Sequence, residues 1–196
     1  MILFKTAGEP NTESTLKIAI EEALRTNSKK LLISSSRGYS AEKALAMIPE
    51  GIKLIVVTHH VGFKEPDQDE FSAEVKKRLI EAGHVVHTAT HALSSVERAF
   101  RRKYGGIHAA EIVSDALRLI SQGFKVCVEI SLMAADAGLV KCDEWVVACG
   151  GSSRGLDTAV VIKPANSSRL FELKIGKILC MPSEYDDGHT KDRAVN

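Results

Sequence analysis

Charge imbalance is the first thing this sequence lacks. Its 26 Lys and Arg stand against 25 Asp and Glu, a net charge of +1. Nothing in that balance provides a basic surface for a phosphodiester backbone, so no nucleic-acid partner is expected. Cysteine is sparse and scattered: Cys127, Cys142, Cys149 and Cys180 form no C-x-x-C pair. That spacing argues against a zinc site or a disulfide framework and fits free thiols in a reducing compartment. No stretch approaches the ~18–20 apolar residues that a membrane helix needs. The opening run MILFK is too short for a signal peptide. A soluble, cytoplasmic protein without a membrane partner is therefore expected. Linkers, low-complexity tracts and solenoid-length repeats are also missing. What is present is 196 residues, 44% of them hydrophobic, enough for a packed core. A single α/β domain over residues 1–182 is expected, followed by a polar tail over 183–196.

Along the chain, short apolar runs alternate with helical patterns. Strands are expected over residues 1–5, 29–36, 53–59 and 84–89. Helices are expected between them over 11–26, 40–49 and 69–83. Asn11 or Thr12 offers a cap for the first helix, Pro49 stops the second, and Gly83 closes the third. The unbroken run KLIVV reads as a strand buried on both faces, as in a parallel sheet. Residues 92–139 contain no convincing strand. They read as three helices, over 93–106, 109–123 and 124–139, the last on the helical spacing of Ile130, Met133, Ala134 and Ala137. Strands return over 144–150, 157–165 and 172–182. Strand–helix alternation implies right-handed crossovers and a mostly parallel sheet covered on both sides, a three-layer α/β/α sandwich. The seven residues GGSSRGL between two strands are too few for a helix. Those strands are expected to form an antiparallel hairpin at one edge.

Ligands of such sheets bind beyond the carboxyl ends of the strands, and four polar bends fall there. The first holds Ser35, Ser36, Arg37, Gly38, Tyr39 and Ser40. Glycine permits a tight turn, the next helix offers free amides and a positive dipole end, and Arg37 is a bidentate phosphate ligand. Equally, Ser40 could serve as a plain N-cap of a polar turn. The second bend holds Thr58, His59, His60 and Gly62. Adjacent histidines on an extended chain point opposite ways, so no metal site is expected. The third holds Thr90, His91, Ala92 and Leu93, with His91 as the lone candidate for acid–base work and a structural histidine as the alternative. The fourth, Gly150, Gly151, Ser152, Ser153, Arg154 and Gly155, repeats the Ser-Ser-Arg-Gly of the first. Its glycines favour a backbone that approaches something closely, and its amides form a nest suited to an oxyanion.

Several motifs are excluded. CGGSSRG has the glycine spacing of a P-loop, but Leu156 and Asp157 follow where Lys and Ser/Thr would stand, and a strand follows instead of a helix. There is no G-x-S-x-G elbow. Asp143 and Asp157 read as solvated loop ends. Glu97, Glu111 and Glu129 lie on helices, as surface or interhelical partners as readily as catalysts. No nucleophile, base and orienting group stand together, so the catalytic residues are unknown and an enzymatic role is left open.

The order of parts resembles the carboxyl-terminal domain of pyruvate kinase. NTESTLKIAIEEALRTNSKKLLISSSRGYSAEKAL with KLIVVTHH is similar to that domain's opening, and GGSSRGLDTAVVIKPA to its closing loop and strand. The turn Ser36-Arg37-Gly38 departs from the order of the enzyme's turn. The segments THALSSVERAF, KYGGIHAAEIVSDALR and GFKVCVEISLMAADAGL extend a likeness to a prokaryotic, largely archaeal family of stand-alone proteins resembling that domain, without an established function. This resemblance implies a five-stranded core of order 3-2-1-4-5 with the last strand antiparallel. It implies that flavin mononucleotide (FMN) can occupy the site formed by the four bends. It does not imply kinase activity, since the enzyme's chemistry sits in a barrel domain that this chain is too short to contain. Three functions follow as expectations: binding of a phosphorylated ligand, FMN foremost; a non-enzymatic regulatory module that takes a sugar phosphate or nucleotide and works as a homo-oligomer; and, more weakly supported, a small phosphohydrolase or phosphotransferase.

Overall fold

The computed structural model describes residues 1–183. The tail expected over 183–196 lies, apart from Ser183, outside the described residues. Strands β1 (Ile2–Phe4), β2 (Lys30–Ser34), β3 (Lys53–Val57), β4 (Val85–His87), β5 (Val146–Gly150), β6 (Thr158–Lys163) and β7 (Lys174–Pro182) make one sheet in the order β1-β7-β6-β5-β2-β3-β4. Within it, β4-β3-β2-β5 are parallel neighbours and β6 runs antiparallel to β5. That is the expected 3-2-1-4-5 core. The β5–β6 hairpin, however, is not at an edge. β7 pairs antiparallel with β6, and β1 pairs parallel with β7, so two further strands continue the sheet past the hairpin and leave β1 and β4 as the edges.

Alternation along each strand explains why the runs are apolar throughout. Leu31 and Ile33 of β2 enter one core cluster and Leu32 the other. Leu54 and Val56 of β3 are likewise opposed to Ile55 and Val57. Helices α1 (Thr12–Arg25), α2 (Tyr39–Met47) and α3 (Ala73–Glu81) cover the first face. Helices α5 (Ala109–Arg118) and α6 (Gln122–Asp136) cover the second. The result is three layers, as expected.

Helix α6 sits deepest, and its anchorage is local. Ser121 Oγ accepts from Phe124 N at 2.9 Å, capping the helix, and lies 3.2 Å from Thr158 Oγ1. Gly123 follows because a Cβ there would fall 2.3 Å from Thr158 Oγ1. The same cap corrects the expected helix over 109–123: α5 ends at Arg118 so that Ser121 can open α6. Helix α3 starts at Ala73 rather than residue 69, because Ser72 is its cap and Phe71 is buried in the core. The first helix is not capped by a side chain. Asn11 Nδ2 donates to Thr6 O and Thr12 Oγ1 to Glu9 O. Helix α4 (Ser95–Tyr104) has no buried residue at all.

Candidate functional site

The carboxyl ends of β2, β3 and β5 open into a cleft of about 860 Å³. Its first wall is the bend after β2. Gly38 adopts φ 111°, a conformation that L side chains rarely adopt, and a Cβ there would also press on Val75. Ser35, 5% exposed, ties the bend from within: its Oγ accepts from Gly38 N at 3.2 Å and from Ala41 N at 3.3 Å. Two amides are thereby used. Those of Arg37, Tyr39 and Ser40 have no protein acceptor among the described residues, and they stand at the start of α2. The hydroxyls of Ser36 and Ser40 face the same cleft, also without a protein partner among the described residues. Ser40 is thus inside the helix and not its cap; Gly38 holds the cap position.

The fourth bend forms the opposite rim through Gly151, Ser153, Arg154 and Gly155. Here the glycines answer to protein, not to a ligand. A Cβ on Gly151 would meet Gly155 O at 2.1 Å, and one on Gly155 would meet Thr12 Oγ1 at 2.4 Å. Asp157, expected in solvent, is fully buried and staples the loop: its Oδ2 accepts from Gly8 N at 2.8 Å and Ser152 N at 3.0 Å, and its Oδ1 from Thr158 Oγ1 at 2.8 Å. Gly150, which is buried, and Ser152, whose amide is taken by Asp157, do not line the cleft. The two Ser-Ser-Arg-Gly bends meet directly, since the Arg154 guanidinium lies over the Tyr39 ring at 4.4 Å and pairs with Glu9 at 3.2 Å.

From the second bend, Thr58 and His59 line the cleft. His60 turns away to bond Val61 O through Nδ1, and the Gly62 amide is taken by Gln68 O. His59 stacks on Phe63 with ring centroids 3.9 Å apart and lies 5.4 Å from His91. From the third bend only His91 reaches the cleft. Thr90 and Ala92 border a separate cavity. Leu93 is structural: its amide donates to Glu129 Oε1 at 3.0 Å and its carbonyl accepts from Ser114. Burial pushes His91 down to about 4, with neighbouring His59 and His60 adding to the fall and Glu129 opposing it, so the imidazole is neutral near pH 7.

Two further carboxylates line the cleft: Glu70, which was not legible as a site residue, and Glu129, which the sequence left open between helix partner and catalyst. Glu70, whose side chain is 6% exposed, gathers three partners: His59 Nδ1 at 3.0 Å, Arg37 Nε at 3.4 Å and Lys64 Nζ at 3.5 Å. The His59 bond leads in holding its carboxyl below the usual range, against the upward push of burial. Glu129 is paired with Lys125 one helical turn away, both buried. Arg37 is held by Glu70 at the rim, with its side chain 65% exposed. Among the described residues no three His, Cys, Asp or Glu are arranged to hold a metal, and no helix is long and apolar enough to cross a membrane.

Comparison with known proteins places the chain in a family. Solved structures of pyruvate kinase from Cryptosporidium parvum align at low identity. One shares 18% identity over 76% of this chain and 22% of its own, with a TM-score of 0.39. Another, solved in complex with ADP, shares 17% over 86% of this chain and 23% of its own, with a TM-score of 0.36. The chain thus spans less than a quarter of the length of those enzymes. Residues 13–162, which run from α1 into β6 and contain all four bends, match the family described as the pyruvate kinase, alpha/beta domain. By that match over most of its length, the chain belongs to the pyruvate kinase alpha/beta domain family.

Proposed function

We propose that the cleft binds a phosphorylated ligand bearing a planar ring, with flavin mononucleotide as the candidate. One observation carries the reading: at the start of α2, on residues lining the cleft, the amides of Arg37, Tyr39 and Ser40 and the hydroxyls of Ser36 and Ser40 have no protein partner among the described residues. Such donors, with the positive end of the helix dipole, favour a phosphate over water. The fit of the rest is one of size and surface. A volume of about 860 Å³ lies within the ~300–1,000 Å³ usual for small-molecule sites, and Tyr39, His59 and His91 offer ring faces along it. In this reading Ser36 and Ser40 hold the phosphate and Arg37 exchanges Glu70 for it. Arg154 orders Tyr39, and the apolar face of α6 at Val126, Ile130 and Met133 excludes water from the ring. A flavin, when bound, supplies electron transfer at its ring. No residue of the chain is assigned a catalytic role.

A second reading, a regulatory module for a sugar phosphate, uses the same seat. It is favoured by Glu74, which lines the cleft without a partner among the described residues and suits sugar hydroxyls. One experiment separates the two. Protein purified without added ligand is denatured, and the released small molecules are identified by mass spectrometry and visible absorption. Released FMN supports the first reading. Absence of flavin, with a melting temperature raised by hexose bisphosphate, supports the second. If no phosphate-bearing molecule copurifies or raises the melting temperature, both fail.

A further inference from the structure

Behind His91 lies a second cavity, of about 570 Å³, between the start of α4, the last turn of α6 and the end of β4. It shares His91 and Met133 with the cleft, so these two side chains form a common wall. Its presence accounts for an oddity of α4, whose ten residues include none that is buried: the space beneath that helix is open. The chemistry of the lining is unlike that of the cleft. Thr90, Ser94, Ser95 and Ser167 contribute hydroxyls, Glu97 and Asp136 contribute carboxylates, and no Lys or Arg lines it. Neither carboxylate has an ion-pair partner among the described residues. Glu97 Oε2 accepts from Ala110 N at 2.8 Å, and Asp136 Oδ1 accepts from Asn166 Nδ2 at 3.2 Å and Ser167 N at 2.9 Å. Ser167 also bonds Asp136 through its side chain, whereas Glu97 keeps one oxygen free of protein donors among the described residues. Burial works to raise Asp136, but its bonds from Ser167 and Asn166 prevail and hold it below the usual range, so it is ionised near neutral pH. A pocket lined by two carboxylates that are bonded only to neutral donors, and by no Lys or Arg, selects against anions.

We infer that this cavity is a second binding site, for a small organic cation such as an aliphatic amine, which meets the occupant of the cleft across His91. Glu97 and Asp136 take the ammonium groups, and the hydroxyls of Thr90 and Ser94 serve neutral polar parts of the molecule. The inference does not depend on what fills the cleft.

The test uses three probes of one length: putrescine, 1,4-butanediol and succinate, a dication, a neutral diol and a dianion. Each is titrated into full-length protein with carbon-13-labelled histidine, and the ring signals of His87 and His91, which line the cavity, are followed. Putrescine is expected to shift both signals saturably, and the diol and the dianion to bind far more weakly. Glu97→Gln, on a helix with no buried side chain, should weaken putrescine at least ~10-fold, the loss expected for one charge-assisted contact. Asp136→Asn keeps an acceptor for Ser167 and should do the same. Arg37→Ala, in the cleft, should leave putrescine affinity unchanged while lowering that of a phosphate ligand. The proposal is overturned if putrescine gives no saturable shift, if succinate or the diol binds as tightly, or if Glu97→Gln binds putrescine as wild type does.

Discussion

Replacing Asp157 separates the staple from the charge that makes it. The side chain is fully buried and accepts three hydrogen bonds: on one oxygen from the backbone amides of Gly8, 149 residues away in the chain, and Ser152, and on the other from Thr158 Oγ1. In Asp157→Ala the buried Gly8 amide loses its acceptor outright. Ser152 is partly exposed and recovers a bond to water, and Thr158 retains Ser121 at 3.2 Å. At ~1–3 kcal/mol for each buried donor left unpaired, together with the lost charged contacts, the total is about 3–5 kcal/mol. Asp157→Asn behaves differently. Its oxygen can keep both amides, while its NH₂ faces Thr158, whose hydroxyl then accepts and turns its own proton to Ser121. Only the charge is lost, together with its attraction to the N-terminus of α6, about 1–2 kcal/mol. Urea unfolding at constant m measures both changes, and hydrogen exchange at Gly8 and Ser152 shows where they act: faster in the alanine variant, near native in the asparagine variant. A loss below ~1 kcal/mol for alanine, or equal losses for the two variants, would refute the reasoning.

Two further outcomes follow from the same geometry. Ser35→Ala removes the acceptor of the Gly38 and Ala41 amides and should cost ~1 kcal/mol in thermal or urea unfolding, as for a lost helix cap; no loss would mean that water replaces the hydroxyl without penalty. Glu70 has its folded pKa lowered, chiefly by His59. Its contribution is therefore complete above the ordinary carboxylate pKa and is lost as pH falls through the depressed folded value. Melting curves from pH 7 down to 3 should show wild type losing more stability over that window than Glu70→Gln; parallel curves would remove Glu70 from the account.

Much of the architecture was legible because burial on both faces writes itself as continuous Leu/Ile/Val runs. Residues 30–34, 53–57 and 146–150 are such runs, and each is a strand of the sheet. The hairpin's place was not legible, since nothing in β6 tells whether a later strand will pair with its free side; β7 does so with register shifts near Val160 and Ile162. Of the site, the first bend was readable from its glycine and hydroxyls before a helix. Its inner tie through Ser35 was not, because three consecutive serines look alike in sequence. The fourth bend misled in the other direction. Its glycines signal close approach correctly, but the approaching atoms belong to Glu9, Thr12 and Gly155 itself. Asp157 beside that loop looked solvated because its partner, Gly8, lies 149 residues away. Glu70 was hidden because its partners are not its neighbours in sequence: His59 lies 11 residues back along the same loop, and Arg37 lies 33 residues away in the first bend.

The central claim is that the bend over residues 36–40 seats a phosphate on the open amides of α2. Backbone proton–nitrogen spectra recorded while FMN, and separately inorganic phosphate, is added test it most directly. The account predicts that the amides of Arg37, Tyr39 and Ser40 move downfield together and saturably with both, while those of Gly38 and Ala41, already bonded to Ser35, move little. Saturable binding that shifts amides elsewhere and leaves those three unmoved would contradict it.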